Sequence, residues 1–285
     1  MKMFHILHPS RRRLREVRAI VEARHLTAPY AWVASEHPDH TETLVQWALD
    51  EGVRRLIVWG GDGTLHRVVQ ALWERCALER MELALVPAGT CNDLARRMGL
   101  RFEEWPSWQA EEPQGRRAAL SLGLLTIGGR TSVFANNAGF GRPKASFDRR
   151  DPAWRTLFTF SPHVTAIRWE AGELRGVYYM ALFCLGPYFS GGLHFEPEPS
   201  PEAGEIRAYL VPARSKVRLG ARLLAGRLGF QLADSKITDF STGRLSVRME
   251  DFVWPQVDGE PPAVEGTTAM TVALSPVRWS LWTPD

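Results

Sequence analysis

Three short stretches hold residues whose types and spacing could do chemistry: Gly60-Gly61-Asp62-Gly63-Thr64, Ala88-Gly89-Thr90-Cys91-Asn92-Asp93 and Asp258-Gly259-Glu260. The first follows an apolar run, Leu56 to Trp59, and precedes Leu65, Val68, Val69, Leu72 and Trp73 at helical spacing. That order predicts a strand, a glycine turn and a helix start. Glycines let the backbone approach closely, and the free N–H groups of a helix start attract negative charge. An acidic side chain in such a loop would repel a bare phosphate. Asp62 fits there if it holds a magnesium ion, directly or through water, or if it orders the turn. On this loop alone two readings stand: a nucleotide polyphosphate bound with metal, or a tight turn with Asp62 as the helix cap. The second stretch follows another apolar run, Leu83 to Pro87, with Asn92 or Asp93 as the natural N-cap of a helix. The third carries two carboxylates able to accept a hydroxyl proton, though Asp-Gly is also a standard turn dipeptide.

The elements that must position these residues alternate. Met3–Leu7 predicts a first strand ending at His8-Pro9-Ser10, and Leu14, Val17, Ile20 and Val21 mark one face of a basic helix. Ala31–Ala34 predicts a second strand, and His40–Asp50 a helix that Gly52 stops. Strands and helices of these lengths predict an α/β domain with a Rossmann-like parallel sheet, helices on both faces. All three turns, His8–Arg13, Gly60–Thr64 and Ala88–Asp93, then fall on one edge of it. Between residues 101 and 118 charges and two prolines replace any periodicity, so the boundary is placed between 1–117 and 118–285. Beyond it, the apolar segments Ala119–Ile127, Ser132–Asn136, Val177–Leu185, Ile206–Val211, Thr268–Leu274 and Trp279–Trp282 alternate with Gly/Pro turns. They predict a C-terminal β-rich domain built as an antiparallel β-sandwich, with helical inserts near Pro152–Glu170 and Ser215–Leu228.

Composition narrows the class. The 285 residues are 45% apolar and 24% charged, ordinary for a globular protein, and long enough for two packed units. No apolar run is long enough to span a bilayer and no signal peptide precedes the first strand, so a cytoplasmic location is expected. The three widely spaced cysteines imply neither a disulfide framework nor a zinc site. The eight histidines show no metal-ligand spacing, which leaves His66 and His194 as local contacts. A net charge of +3 is compatible with docking on anionic lipid headgroups, and no nucleic-acid partner is expected. The eleven tryptophans read as core residues, with membrane-interface placement of some as the alternative.

The pair GGDGT and PxGTxND, separated by one helix and one strand, resembles the diacylglycerol kinase catalytic domain family, which includes bacterial lipid kinases and sphingosine and ceramide kinases. NAD kinases and phosphofructokinases share only the first element. The resemblance continues through Asn136-Asn137-Ala138-Gly139-Phe140-Gly141, Tyr188-Phe189-Ser190-Gly191-Gly192 and Val257-Asp258-Gly259-Glu260-Pro261. It implies an ATP-dependent kinase acting on a lipid hydroxyl, with ATP and Mg2+ as cofactors and the β-rich half holding the lipid. It places His8, Pro9, Ser10, Ser35, Gly60, Gly61, Gly63, Thr64, Gly89, Thr90, Asn92 and Asp93 around the nucleotide. Asp62 is the metal contact or orients the acceptor. Glu260 is the favoured base and Asp258 its support or a metal contact, and the two roles could be exchanged. Ser35 reads equally as a turn cap. Arg11, Arg12 and Arg13 could reach phosphates or an anionic membrane, or form a solvated helix start.

Departures are visible too. His8 stands where the family carries asparagine, and Arg142-Pro143-Lys144 replaces an aspartate and a small residue. Residues 201–206 lack most carboxylates of the bacterial structural magnesium site, so that metal is not expected. Two other functions stay open: a kinase with a soluble acceptor, as in NAD kinase, and a nucleotide- or lipid-binding regulator without turnover. Peripheral membrane contact is expected, and exposed sheet edges in the second half would permit a homodimer.

Overall fold

A computed structural model describes the protein except for residues 1, 34–39, 112–114, 142–159, 190–191, 195, 200–203, 215–236, 263, 265 and 284–285. Ser35, the Arg142-Pro143-Lys144 departure and the predicted insert at 215–228 lie outside the described residues. Among those described, no helix is long and apolar enough to cross a membrane.

The first unit comprises residues 1–120 and 277–285. Its strands and helices begin β1 (Met3–Leu7), α1 (Leu14–Glu22), β2 (Tyr30–Trp32), α2 (His40–Asp50), β3 (Arg55–Gly60), α3 (Asp62–Glu74), β4 (Glu82–Pro87), α4 (Asp93–Arg97). After a short helix, α5 (Trp105–Trp108), comes β5 (Arg116–Leu120). Strands β2, β1, β3 and β4 pair in that order, all parallel. Every residue of β3 is buried, as expected of a central parallel strand covered on both faces, which is why Leu56, Ile57, Val58 and Trp59 read as one unbroken apolar run. Each such aliphatic side chain, fully buried, contributes about 1.5–3 kcal/mol. Because β2 lies on one side of β1 and β3 on the other, the order reverses between β1 and β3. The crevice at their C-terminal ends is where open α/β sheets bind ligands.

The second unit spans residues 121–276 and is antiparallel throughout. Its strands are β6 (Gly123–Ile127), β7 (Arg130–Phe134), β8 (Asn137–Phe140), β9 (His163–Trp169), β10 (Gly172–Cys184), β11 (Tyr188–Phe189), β12 (Leu193–His194), β13 (Ile206–Pro212), β14 (Thr238–Thr242), β15 (Arg244–Val253), β16 (Pro255–Val257) and β17 (Thr267–Leu274). Strand β10 is the organiser. Its first half pairs with β9, its second half with β8 and β13. Alternation along that second half feeds two cores. Ala181, Phe183 and Leu185 join Phe134, Ile167, Leu245 and Val272, whereas Met180, Leu182 and Cys184 pack with Phe189, Tyr209 and Val211.

Two expectations need correction. Residues 163–169, placed inside a helical insert, form β9, because Val164, Thr165 and Ile167 are β-branched and the Glu170-Ala171 turn returns the chain onto β10. The last strand, β18 (Trp279–Thr283), belongs to the first sheet, not to the β-rich half: it lies between β4, to which it is parallel, and β5, to which it is antiparallel. Glu82 explains the seat. Its Oε2 accepts from Arg55 Nη2 at 3.0 Å and Trp282 Nε1 at 3.1 Å, and its Oε1 from Arg117 Nη1 at 3.1 Å, tying β3, β4, β18 and β5 together. The expected segment Ala119–Ile127 is accordingly split, β5 ending at Leu120 in the first unit and β6 opening the second.

Candidate active site

The two glycine loops of the first unit are in direct backbone contact. A Cβ placed on Gly89 would lie 2.2 Å from Gly61 Cα, so Gly89 admits no side chain without a backbone shift, and one on Gly61 would be tight, 3.0 Å from Gly89 Cα. A Cβ on Gly60 would meet Thr64 Cβ at 2.6 Å. The loops are also stitched by hydrogen bonds. Ala88 N–H donates to Gly60 C=O at 3.0 Å, and Ser10 N–H donates to Ala88 C=O at 2.7 Å. His8 N–H donates to Trp59 C=O at 2.7 Å, and its Nδ1 lies 3.0 Å from the hydroxyl of the buried Thr64. The turns after β1, β3 and β4 therefore form one assembly at the switch point. His8, Ser10, Gly60, Gly61, Thr64 and Gly89 all take part in it, beside the half-buried Pro9.

Asp62 links the loops most strongly. Its two carboxylate oxygens accept the backbone N–H groups of Asp93 and Leu94, each at 3.0 Å. It therefore caps α4, the helix of the second loop, rather than α3, of which it is the first residue. Asn92 occupies the N-cap position in a left-handed conformation (φ 53°) and makes no side-chain cap of its own. Its amide clasps Gly89 instead, accepting from the glycine N–H at 3.1 Å and donating to its carbonyl at 3.2 Å. Asp93 is buried, with its backbone N–H held by Asp62, and Thr90 is exposed at the tip of the loop.

These residues fit a bound polyphosphate and its metal. Gly61, in extended conformation, caps α3, and its carbonyl accepts the Thr64 and Leu65 N–H groups, so Gly63 lies in the first helical turn where backbone donors point outward. A carboxylate at the meeting point of the two loops suits a magnesium ion reached through water.

Behind the assembly lies a buried polar pair. Trp59 Nε1 donates to His5 Nδ1 at 3.0 Å, which fixes the His5 proton on Nε2, a buried atom without a hydrogen-bond partner. Burial lowers the His5 pKa to about 4, so the ring is neutral.

In the second unit, the motifs singled out in the sequence converge. Asp258 and Gly259, with φ of 48° and 85°, form a two-residue turn in which Val257 and Glu260 exchange backbone hydrogen bonds of 2.9 and 2.8 Å. Positive φ at both central residues makes this a type I′ turn, the geometry Asp-Gly favours. The Asp258 carboxylate is more than a turn residue. Oδ2 accepts the Ala135 N–H at 2.8 Å, and Oδ1 accepts those of Asn136 and Asn137 at 2.8 and 2.9 Å. Gln256 completes the junction, accepting from Gly259 N–H at 2.7 Å and donating to Asn137 Oδ1 at 2.8 Å, while Asn136 Nδ2 reaches the Tyr188 carbonyl at 2.8 Å. Burial, and after it the charge of Asp258, pushes up the Cys184 thiol beneath. Glu260 follows the turn, half-buried. Sequence reasoning missed Gln256. Its signal was a polar residue inside the apolar run Val253 to Val257, directly before Asp-Gly.

Comparison with known proteins follows the same lines. Residues 8–121 match the diacylglycerol kinase catalytic domain. The chain is 31% identical over 242 residues to the "Probable lipid kinase YegS-like" of Pseudomonas fluorescens strain Pf-5, covering 79% of this chain and 78% of that protein. It is 27% identical over 278 residues to the protein of the same description from strain Pf0-1, covering 90% and 86%. The crystal structure of a diacylglycerol kinase from Bacillus anthracis str. Sterne superposes with a TM-score of 0.70 at 17% identity, over 99% of this chain and 96% of that one, which shows a shared fold. Paired glycine loops at the switch point, joined by Asp62, and identity across more than two thirds of a relative lead to one assignment: the chain belongs to the diacylglycerol kinase catalytic domain family.

Proposed function

We propose that this protein is an ATP-dependent lipid kinase that transfers the γ-phosphoryl group to a hydroxyl of a diacylglycerol-like or sphingoid lipid. The observation that carries the reading is the locked pair of glycine loops, Gly60–Thr64 and Ala88–Asp93, at the sheet's switch point. The names of its relatives support the lipid as acceptor. Gly63 N–H and the Thr64 and Thr90 hydroxyls bind phosphate oxygens, with His8 holding Thr64 in place. Asp62 would hold, through water, a magnesium ion whose charge would offset that of the phosphates. The acceptor oxygen forms a bond to the γ-phosphorus as the bond to the ADP oxygen breaks, and the hydroxyl proton passes to the Glu260 carboxylate. Glu260 is preferred over Asp258 because Asp258 already accepts three backbone N–H groups. The protein works from the cytoplasmic side, in peripheral contact with the membrane that holds its lipid.

The test is transfer from γ-labelled ATP, with magnesium, to diacylglycerol, sphingosine, ceramide and phosphatidylglycerol, with NAD as a soluble acceptor alongside. One labelled lipid is expected. Glu260→Gln should lower kcat by about 10²–10⁴-fold, the range for loss of a general base, with an unchanged melting temperature. Folded protein that labels none of the lipids would overturn the reading, and label on NAD alone would replace it with a soluble-acceptor kinase. Full activity in Glu260→Gln would remove Glu260 as the base.

A further inference from the structure

We infer that the second unit carries a divalent transition-metal site formed by His194, Glu196 and Glu198, separate from the nucleotide chemistry. One ligand atom from each of the three side chains lies within 4.8 Å of the other two. Metal–ligand bonds of about 2.0–2.2 Å set ligand atoms about 3–4.4 Å apart around one ion, so little movement closes this cluster on a metal. The segment bends at 196–197, with a cis peptide bond before Pro197, and Pro197 and Pro199 restrict the backbone between and after the carboxylates.

The contact between His194 and Glu198 is itself informative. Glu198 Oε1 lies at ion-pair distance, 2.8 Å, from His194 Nε2, a buried atom that makes no hydrogen bond. Two metal-binding atoms therefore converge on one point. With two carboxylates and one imidazole the cluster keeps net negative charge whether or not the ring is protonated, and a divalent cation offsets it.

The scaffold is held from the core. The Tyr209 hydroxyl, on a fully buried residue, donates to the Pro197 carbonyl between the two glutamates. His194 pairs with Tyr188 in the β11–β12 ladder, and their rings lie 5.3 Å apart. Tyr188 in turn receives the Asn136 amide. The metal would therefore fasten the segment after β12 to the strand end that Asp258 organises. One imidazole and two carboxylates suit zinc or manganese, whereas magnesium prefers oxygen donors alone. Inspection of histidine spacing missed the cluster because its other two ligands are glutamates.

The experiment uses the full chain, stripped with a chelator and titrated with ZnCl2 against a chromophoric competitor, with MnCl2 and MgCl2 in parallel. Wild type should bind one zinc per chain that is weakened at least about tenfold in His194→Ala and several-fold in Glu198→Gln, and millimolar magnesium should not compete. Zinc should raise the melting temperature of wild type and not of His194→Ala. Glu198→Gln changes an exposed side chain, so it should melt like wild type without metal and reports on the site even where His194→Ala folds poorly. No zinc bound by wild type, or equal affinity in wild type and both variants, would overturn the proposal.

Discussion

Replacing Asp62 by alanine removes the acceptor of two backbone N–H groups, those of Asp93 and Leu94, on residues only 4% and 1% exposed. A buried donor left without a partner costs about 1–3 kcal/mol. The two donors are adjacent, so water admitted by the smaller side chain recovers part of both, and a total near 3 kcal/mol is expected. For a unit of this size that loss lowers the melting temperature by roughly 10 °C. Asp62→Asn keeps one acceptor oxygen but sets its NH2 against the second N–H, so it should melt between alanine and wild type. Scanning calorimetry of the three proteins checks the order. An alanine variant melting within about 2 °C of wild type would refute the argument that Asp62 holds the two loops together. The same numbers govern how kinase assays are read. Loss of activity in Asp62→Ala would combine a damaged loop with loss of the proposed metal contact, and a folded but inactive Asp62→Asn would isolate the second.

Three further outcomes follow from the geometry. His5 has its pKa lowered from 6.5 to about 4 by burial; the unfolded chain therefore binds the extra proton first, and stability present above pH 6.5 falls by about 3 kcal/mol as pH drops through 4. Urea titrations at pH 7 and 4 should show this drop in wild type and a much smaller one in His5→Gln. Glu82→Ala leaves the buried Arg55 guanidinium without its carboxylate and should cost about 3 kcal/mol in denaturant unfolding; a change under 1 kcal/mol would mean that the Trp108, Ala110 and Glu111 carbonyls suffice for Arg55. Asp258→Asn removes charge from three N–H contacts at once. It should destabilise the second unit by about 2–4 kcal/mol, measured as protease susceptibility, and unchanged resistance would show that the turn alone holds residues 135–137.

The first unit was readable because its elements are strongly periodic and its turns sit where strand order dictates. The ends of α2 were visible in its pattern and in Gly52, and β3 in four consecutive apolar residues. What the sequence hid were long-range choices. Trp279–Thr283 looks like any half-buried strand, and nothing local says that its partners are β4 and β5. Strand β15 passed unnoticed although Leu245, Val247 and Met249 alternate cleanly with Arg244, Ser246 and Arg248, because the charged face masked the apolar one. At the site, Asp62 was read as capping a helix or holding a metal. That it caps the helix of the other loop depends on two loops meeting, which spacing cannot reveal. The Asp-Gly pair was likewise read as either turn or chemistry; it forms a turn whose aspartate organises the neighbouring strand end, a contact that spacing does not show.

The position of β18 bears on how the polypeptide matures. A ribosome delivers β4 some two hundred residues before the strand that pairs with its outer edge. Until residues 279–283 emerge, the outer edge of β4 at Glu82 and Leu83 lacks its partner, an open edge of the kind that recruits other chains. The β-rich segment, with its ends at 121 and 276, can acquire its own partners first. The later-made portion can therefore complete its pairing before the earlier-made sheet does, and β18 then closes the edge of that sheet. Fusions or truncations that disturb positions 279–283 should lower soluble yield well before they touch any catalytic group.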